Sequence, residues 1–233
     1  MSGNLESYLI SFIKLSGVFK IRTGEEKMKK IFLLGIIFLS LIEFGSADSK
    51  AMNASDSPKL QKAILAGGCF WCMTPPFEKL DGVIKVLSGY TGGAGLNPTY
   101  HNYEKKGHIE AVEITYDPSK IKYTDLLDVY WMQINPTDSG GQFCDRGPQY
   151  RPAIFYLNEE QKKLAEQSKE KLEKSGKFDK AITTELIAAS TFYPAEEYHQ
   201  DYYKKNPVQY KFYRFKCGRD QFLEKIWGKK ASH

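Results

Sequence analysis

Residues 67–72 read Gly-Gly-Cys-Phe-Trp-Cys, so two of the chain's four cysteines flank two large aromatic rings. An apolar run, "KAILAGG" (62–68), precedes Cys69, and a helix-like stretch, 70–80, follows it with Pro75 and Pro76 in its early turns. A sulfur placed between a strand and a helix N-terminus feels the helix dipole and the unpaired backbone N–H groups, both of which favour thiolate. An ordinary thiol is only slightly ionised at neutral pH, and bringing its pKa down towards neutrality makes it a nucleophile. Gly67 and Gly68 let the backbone turn and leave room for a substrate. Phe70 and Trp71 suit the walls of a small apolar pocket beside that sulfur.

Three roles are open to Cys69, Cys72, Cys144 and Cys217. Static disulfides fit an exported protein, although a domain of this size can be stable without staples. A four-cysteine zinc site lacks its usual spacing, because there is one C-x-x-C pair and the other two cysteines lie 73 residues apart. Redox chemistry fits the strand–cysteine–helix arrangement best. His108-Ile109-Glu110 with a C-x-x-C is no deaminase signature, since the order of the two motifs is reversed and the proline is missing. The loop "SGYTGGAG" (88–95) lacks the Gly-Lys-Ser/Thr ending that grips phosphate.

Around these residues the chain alternates strand and helix patterns. Strands are expected at 62–68, 83–90, 108–118, 150–157 and 181–189, and helices at 70–80, 123–134, 158–176 and 194–206. The segment "HIEAVEITYDP" places His108, Glu110 and Val112 on one parity and Ile109 and Ala111 on the other, then stops at Asp117-Pro118. Asn158 caps the third helix, whose interleaved Glu and Lys mark a wet face. The stretch 135–149 is a long loop, and loops of that length usually carry function or disorder. From 207 onward the chain is rich in Tyr, Phe, Lys and Arg without clear period and is expected to wrap the domain as a long irregular tail. Together these patterns predict an α+β fold: a two-layer mixed sheet with helices packed on one face.

The first 47 residues read as a sorting segment: Met28-Lys29-Lys30, then the apolar "IFLLGIIFLSLI" (31–42), then small residues at 45–47. The apolar run is shorter than the roughly 20 residues of a spanning helix, so export without stable membrane insertion is expected, and residues ahead of Met28 carry no leader logic. Residues 48–60 form a polar lead-in and 61–233 a single catalytic domain. Beyond the leader, 27 Lys/Arg stand against 24 Asp/Glu, a balance too even to imply nucleic acid. Fifteen tyrosines are more telling, each joining apolar area to a polar tip.

The segments "GGCFWC" at 67, "SGYTGG" at 88, "NPTY" at 97, "GHIEAVEITYDP" at 107, "CDRGPQYRPAI" at 144, "ITTE" at 182 and "FYPAEEYHQDYYKKNP" at 192 resemble the A class of peptide methionine sulfoxide reductases. They run in that family's order over nearly the whole chain after the leader. The resemblance implies a ferredoxin-like core, Cys69 as nucleophile, Glu110 as acidic partner, Tyr100 and Tyr150 as substrate-contacting tyrosines, and Asp145 as a nearby carboxylate. It also implies methyl-binding rings at Phe70 and Trp71, with Tyr202 beside them, and a recycling cysteine in the tail, which falls on Cys217. Position 72 departs from the commoner "GCFWG" form, so Cys72 and Cys144 compete with Cys217 for recycling. The implied activity is thiol-dependent reduction of methionine S-sulfoxide, free or in proteins, by a periplasmic or secreted monomer. It needs no metal or nucleotide cofactor, only an external reductant such as thioredoxin.

Chemistry supports that constellation independently. A sulfoxide oxygen leaves poorly until protonated, so a thiolate attacking the sulfur needs an acid at the oxygen; Glu110 fits, and burial among rings raises a carboxyl's affinity for a proton. Tyrosine hydroxyls can bond the same oxygen as charge grows there. Attack leaves a sulfenic acid that a second thiol condenses with. A thiol-disulfide oxidoreductase acting on protein disulfides is the alternative suggested by the C-x-x-C itself. A nucleic-acid-binding tail, "QYKFYRFKCGRD", is a weaker reading that export argues against.

Overall fold

A computed structural model of the chain describes residues 59–228. The expected leader at 1–47 and most of the polar lead-in lie outside the described residues. In chain order the elements are β1 (Gln61–Ala66), α1 (Phe70–Glu78), β2 (Val83–Thr91), β3 (Ile109–Tyr116), α2 (Tyr123–Trp131), β4 (Gly141–Gln142), β5 (Asp145–Arg146) and β6 (Ala153–Tyr156). They continue with α3 (Glu159–Lys174), β7 (Glu185–Ala188), β8 (Tyr193–Pro194), α4 (Tyr202–Lys205), α5 (Pro207–Lys216) and α6 (Arg219–Trp227). Single 3-10 turns at Pro148–Tyr150 and Glu197–His199 precede β6 and α4.

Six strands form one mixed sheet in the order β7-β6-β1-β3-β2-β8. Only the β6–β7 pair is parallel; β1, β2 and β3 pair antiparallel, with Leu65 opposite Val112 and Tyr90 opposite Glu110. Strand alternation sorts the side chains onto two faces. Ala63, Leu65, Val112, Ile114 and Tyr116 enter the main core with Phe70, Met73 and Phe77 of α1 and Leu126, Leu127 and Tyr130 of α2. Ile64, Ala66, Ile109, Ala111 and Phe155 form a smaller cluster on the opposite face, covered by Ile187, Ala189 and Phe192. Glu110 shares the parity of Val112 and Ile114, so the strand aims its carboxylate at the N-terminus of α1.

Local signals account for most boundaries. Asn158 accepts a hydrogen bond from the Gln161 N–H at 2.9 Å and starts α3. Gly82 follows α1 with φ +91, a left-handed turn into β2 that only glycine adopts freely. Three expectations are corrected. The stretch 135–149 is not plain loop: it contains the β4–β5 hairpin and a 3-10 turn, held by buried Gln142, which accepts from the Asn135 N–H at 2.8 Å and donates to the Asn135 carbonyl at 2.9 Å. The helix expected at 194–206 is split into strand, 3-10 turn and the short α4. The tail is not irregular, because α5 and α6 fill 207–227. Its helical period was hidden because α5 is apolar on two faces: Tyr210 is buried, while Val208, Phe212 and Phe215 stand in solvent.

Candidate active site

β1 ends in Gly67 and Gly68, and Cys69 is the N-cap of α1. Both glycines are required. A Cβ at Gly67 would lie 2.5 Å from Met73 Sδ, and one at Gly68, whose φ is +79, would lie 2.5 Å from Gln142 Cβ. The turn therefore packs flat between α1 and the hairpin. Cys72 sits one turn along, its N–H donating to the Cys69 carbonyl at 3.0 Å, and the two sulfurs are hydrogen-bonded to each other. Both are buried, Cys69 at 5% exposed and Cys72 at 1%.

Electrostatics divide the pair. Burial pushes the Cys69 thiol well up, and its hydrogen bond to Cys72 and the neighbouring negative charge add to that. Cys72 is held below the usual thiol value, first by the hydrogen bond from Cys69 and then by the guanidiniums of Arg219 and Arg214, which outweigh its own burial. Burial thus works against the helix dipole at Cys69, while the two arginines favour the charged form at Cys72. Arg219 is fully buried, donating to the carbonyls of Gln133 at 2.7 Å and Gly67 at 3.0 Å and stacking over Phe143. Arg214 pairs with Asp220 at 2.6 Å and reaches the Cys72 carbonyl at 3.4 Å.

Glu110 closes the other side. Its Oε2 accepts the Phe70 N–H, one of the free donors of the first turn of α1, at 3.1 Å, and its Oε1 is bonded to the Tyr103 hydroxyl at 3.0 Å. The residue is 2% exposed, and burial raises its pKa to about 8 although both hydrogen bonds act against the rise. Tyr103 is also hydrogen-bonded to Tyr150, so Tyr150, Tyr103 and Glu110 form a polar chain. Tyr100 stands at the exposed rim with its ring 4.6 Å from that of His199 and 6.2 Å from that of Tyr103.

The aromatic wall is continuous. Trp71 stacks on Tyr202 with ring centres 3.7 Å apart and planes within 7°, and its Nε1 donates to His199 Nδ1 at 3.2 Å. Phe70 is fully buried against Tyr90 and His199, which makes it a support for the wall and leaves the surface to Trp71 and Tyr202. Asp145 is half-buried, accepts a hydrogen bond from the Tyr213 hydroxyl and adds negative charge near Cys69 and Glu110.

The fourth corner holds the other two cysteines. Cys217 is in a disulfide with Cys144, their Cα atoms 4.8 Å apart, and Cys69 and Cys72 are the free thiols. Cys217 therefore does not face Cys69 as a ready thiol, and the sulfur that does is Cys72. Tyr103, His199, Tyr213, Arg214 and Arg219 were not singled out from sequence. Tyr103 lies one turn beyond Tyr100 and could have been found by asking what else that turn presents, whereas no pattern marks a buried arginine.

A model of the family described as peptide methionine sulfoxide reductase matches residues 61–231. The chain belongs to the peptide methionine sulfoxide reductase family. It is 58% identical over 173 residues to "Peptide methionine sulfoxide reductase MsrA" of Halalkalibacterium halodurans, covering 73% of this chain and 98% of that protein. It is 56% identical over 174 residues to the protein of the same description from Bacillus licheniformis, covering 74% and 96%. Among solved structures, the reduced form of Mxr1 from Saccharomyces cerevisiae aligns with a TM-score of 0.61 at 29% identity, covering 66% of this chain and 89% of that one. Methionine sulfoxide reductase A of Corynebacterium diphtheriae aligns with a TM-score of 0.57 at 30% identity, covering 66% and 78%. Like these reductases, the chain is an α+β protein, here with the buried cysteine, the carboxyl and the tyrosines gathered at one end of α1.

Proposed function

We propose that the chain reduces the S epimer of methionine sulfoxide, free or in proteins, with Cys69 as nucleophile and Glu110 as proton donor. One observation carries this: a buried carboxyl with a raised proton affinity stands beside a buried thiol pair, the combination that sulfoxide reduction needs and simple disulfide exchange does not. The substrate's methyl group rests on Trp71 and Tyr202, and its oxygen points to Glu110, Tyr103 and Tyr150. As Cys69 Sγ attacks the sulfoxide sulfur, its proton passes to the Cys72 thiolate and Glu110 protonates the oxygen. The oxygen moves to Cys69 as a sulfenic acid and methionine leaves.

Cys72 then passes its proton to the Glu110 carboxylate, a loss favoured by Arg219 and Arg214, and attacks Cys69 Sγ. Water leaves with a proton from the Glu110 carboxyl, and a Cys69–Cys72 disulfide forms. Asp145 orients Tyr213 against the cysteine pair. Cys72, free beside Cys69, takes the first recycling step in place of the disulfide-bonded Cys217. The donor that restores the thiols is a thioredoxin-like dithiol protein, and no metal takes part. The reading includes a ferredoxin-like core and export as a monomer to the periplasm or the exterior; among the described residues no helix is long and apolar enough to cross a membrane.

The test is to mix fully reduced protein with each sulfoxide epimer and follow methionine release and disulfide formation by peptide mapping. Release from the S epimer with a Cys69–Cys72 disulfide is expected. Consumption of neither epimer, together with rapid reduction of insulin disulfides, overturns the reading in favour of a thiol-disulfide oxidoreductase.

A further inference from the structure

Residues 195–200 hold no regular element longer than one 3-10 turn, yet three of their side chains each grip a different part of the site. Gln200 locks the segment to β2: its Oε1 accepts the Ser88 N–H at 2.9 Å, and its Nε2 donates to the Ser88 carbonyl at 2.9 Å and the Ala195 carbonyl at 2.8 Å. His199 takes the Trp71 indole N–H at the aromatic wall. Glu196 reaches the tyrosines. Its Oε1 accepts the backbone N–H of Tyr100 at 2.9 Å, and its Oε2 accepts the hydroxyl of Tyr90 at 3.0 Å.

Tyr100 opens a helix-like turn in which the Tyr103 N–H returns to the Thr99 carbonyl at 2.8 Å, so its own N–H has no acceptor within the turn. The Glu196 carboxylate supplies that acceptor and ties the β2–β3 loop to the segment that also holds Trp71. Burial works against a charge there, but the N–H groups of Tyr100 and Glu196, the Tyr90 hydroxyl and nearby His199 outweigh it, and the carboxyl is held below its ordinary value. Tyr103 needs no such tether. Its hydroxyl is bonded to Glu110, and its ring stacks 4.7 Å from that of fully buried Tyr90. Tyr100 is 39% exposed and rests its ring on His199 and Tyr103, so its direction depends on how firmly its backbone is held. Burial, then the charges of Glu110 and Cys69, raise the pKa of its hydroxyl, which is therefore within electrostatic reach of the reacting groups.

We propose that Glu196 is a positioning residue for sulfoxide reduction: by holding the Tyr100 backbone, it aims the Tyr100 hydroxyl at the sulfoxide oxygen as that oxygen takes up charge. This rests on the reductase reading of the site. No proton or electron passes through Glu196, whose two oxygens are taken up by Tyr100 and Tyr90. It acts on the oxygen, whereas the methyl wall of Trp71 and Tyr202 is held separately through His199. Loss of Glu196 therefore slows the reaction of bound substrate and leaves its binding close to that of the parent protein.

The test is single-turnover methionine release from the S epimer by reduced protein, followed across sulfoxide concentration for wild type, Glu196→Ala, Tyr100→Phe and the double variant. Glu196→Ala is expected to lower the saturating rate about tenfold, with half-saturation within about twofold of wild type. The double variant is expected to be no slower than Tyr100→Phe, because a backbone tether has nothing to aim once the hydroxyl is gone. Losses that multiply in the double variant, an unchanged rate in Glu196→Ala, or a loss confined to half-saturation each overturn the inference. Tyr90→Phe removes the other Glu196 bond and is expected to react near the wild-type rate; a tenfold slower Tyr90→Phe means that Glu196 acts through the core, and overturns it too. Should Glu196→Ala not fold, Glu196→Asp keeps the charge, stops one methylene short and carries the same cycle with a smaller loss. If wild type itself releases no methionine, the reductase reading fails, an outcome distinct from each of these.

Discussion

The two cysteine pairs use the same element in opposite settings. Cys69–Cys72 stands at the N-terminus of a buried helix, enclosed by rings and two arginines; Cys144–Cys217 joins a hairpin tip to a helix end in reach of solvent. Burial alone makes a thiol less reactive, as the raised Cys69 shows. Reactivity is recovered by supplying charge from the protein, because Arg214 and Arg219 replace the water that burial removed. The outer pair needs no such support: its reactivity is set by access. Separation of the two leaves the inner pair to a methionine side chain held by the aromatic wall and the outer pair at the surface.

Substitutions that cross this boundary have the largest effects. Cys69→Ser is expected to abolish methionine release, while Cys72→Ser retains a single slow release and leaves a sulfenic acid on Cys69 that dimedone captures; the absence of that adduct would break the division of labour inside the pair. Glu110→Gln keeps the shape and removes the acid, and single-turnover release should fall by about 10²–10⁴-fold. In the parent protein the donor works only while protonated. Release therefore holds on the acid side of its pKa and declines as pH rises through about 8, a limb that Glu110→Gln removes and that stopped-flow rates across pH would show.

Arg219→Met, smaller in effect, orphans two buried carbonyls, those of Gln133 and Gly67, and should cost about 2–4 kcal/mol of stability by denaturant titration. Its diagnostic readout is separate from stability. The pH midpoint of Cys72 alkylation should move upward, and an unmoved midpoint would mean that the guanidinium only props the turn.

Much of this was legible in the residues because period and punctuation agreed there. The β3 parity put Glu110 on the face of Val112 and Ile114, glycines marked the exit from β1, and Asn158 marked the start of α3. Other parts were hidden for physical reasons. Helix α5 turns an aromatic face outward as well as inward, so no one-sided stripe betrays it. A two-residue strand pair such as β4–β5 is too short to show alternation, and its register depends on buried Gln142. The Cys144–Cys217 link spans 73 residues, and no spacing rule predicts a partner at that distance. How the Cys69–Cys72 pair ionises depends on the hydrogen bond between the two thiols, on their burial and on arginines more than 140 residues away, a balance that only folding sets.

Met73 gives one more consequence. Its thioether lies in the core, fully shielded, with its sulfur 3.8 Å from the Arg219 guanidinium and pressed against the space that Gly67 leaves open. A repair catalyst must itself survive peroxide, and here its own most vulnerable side chain near the chemistry is armoured by the same turn that delivers the reactive sulfur.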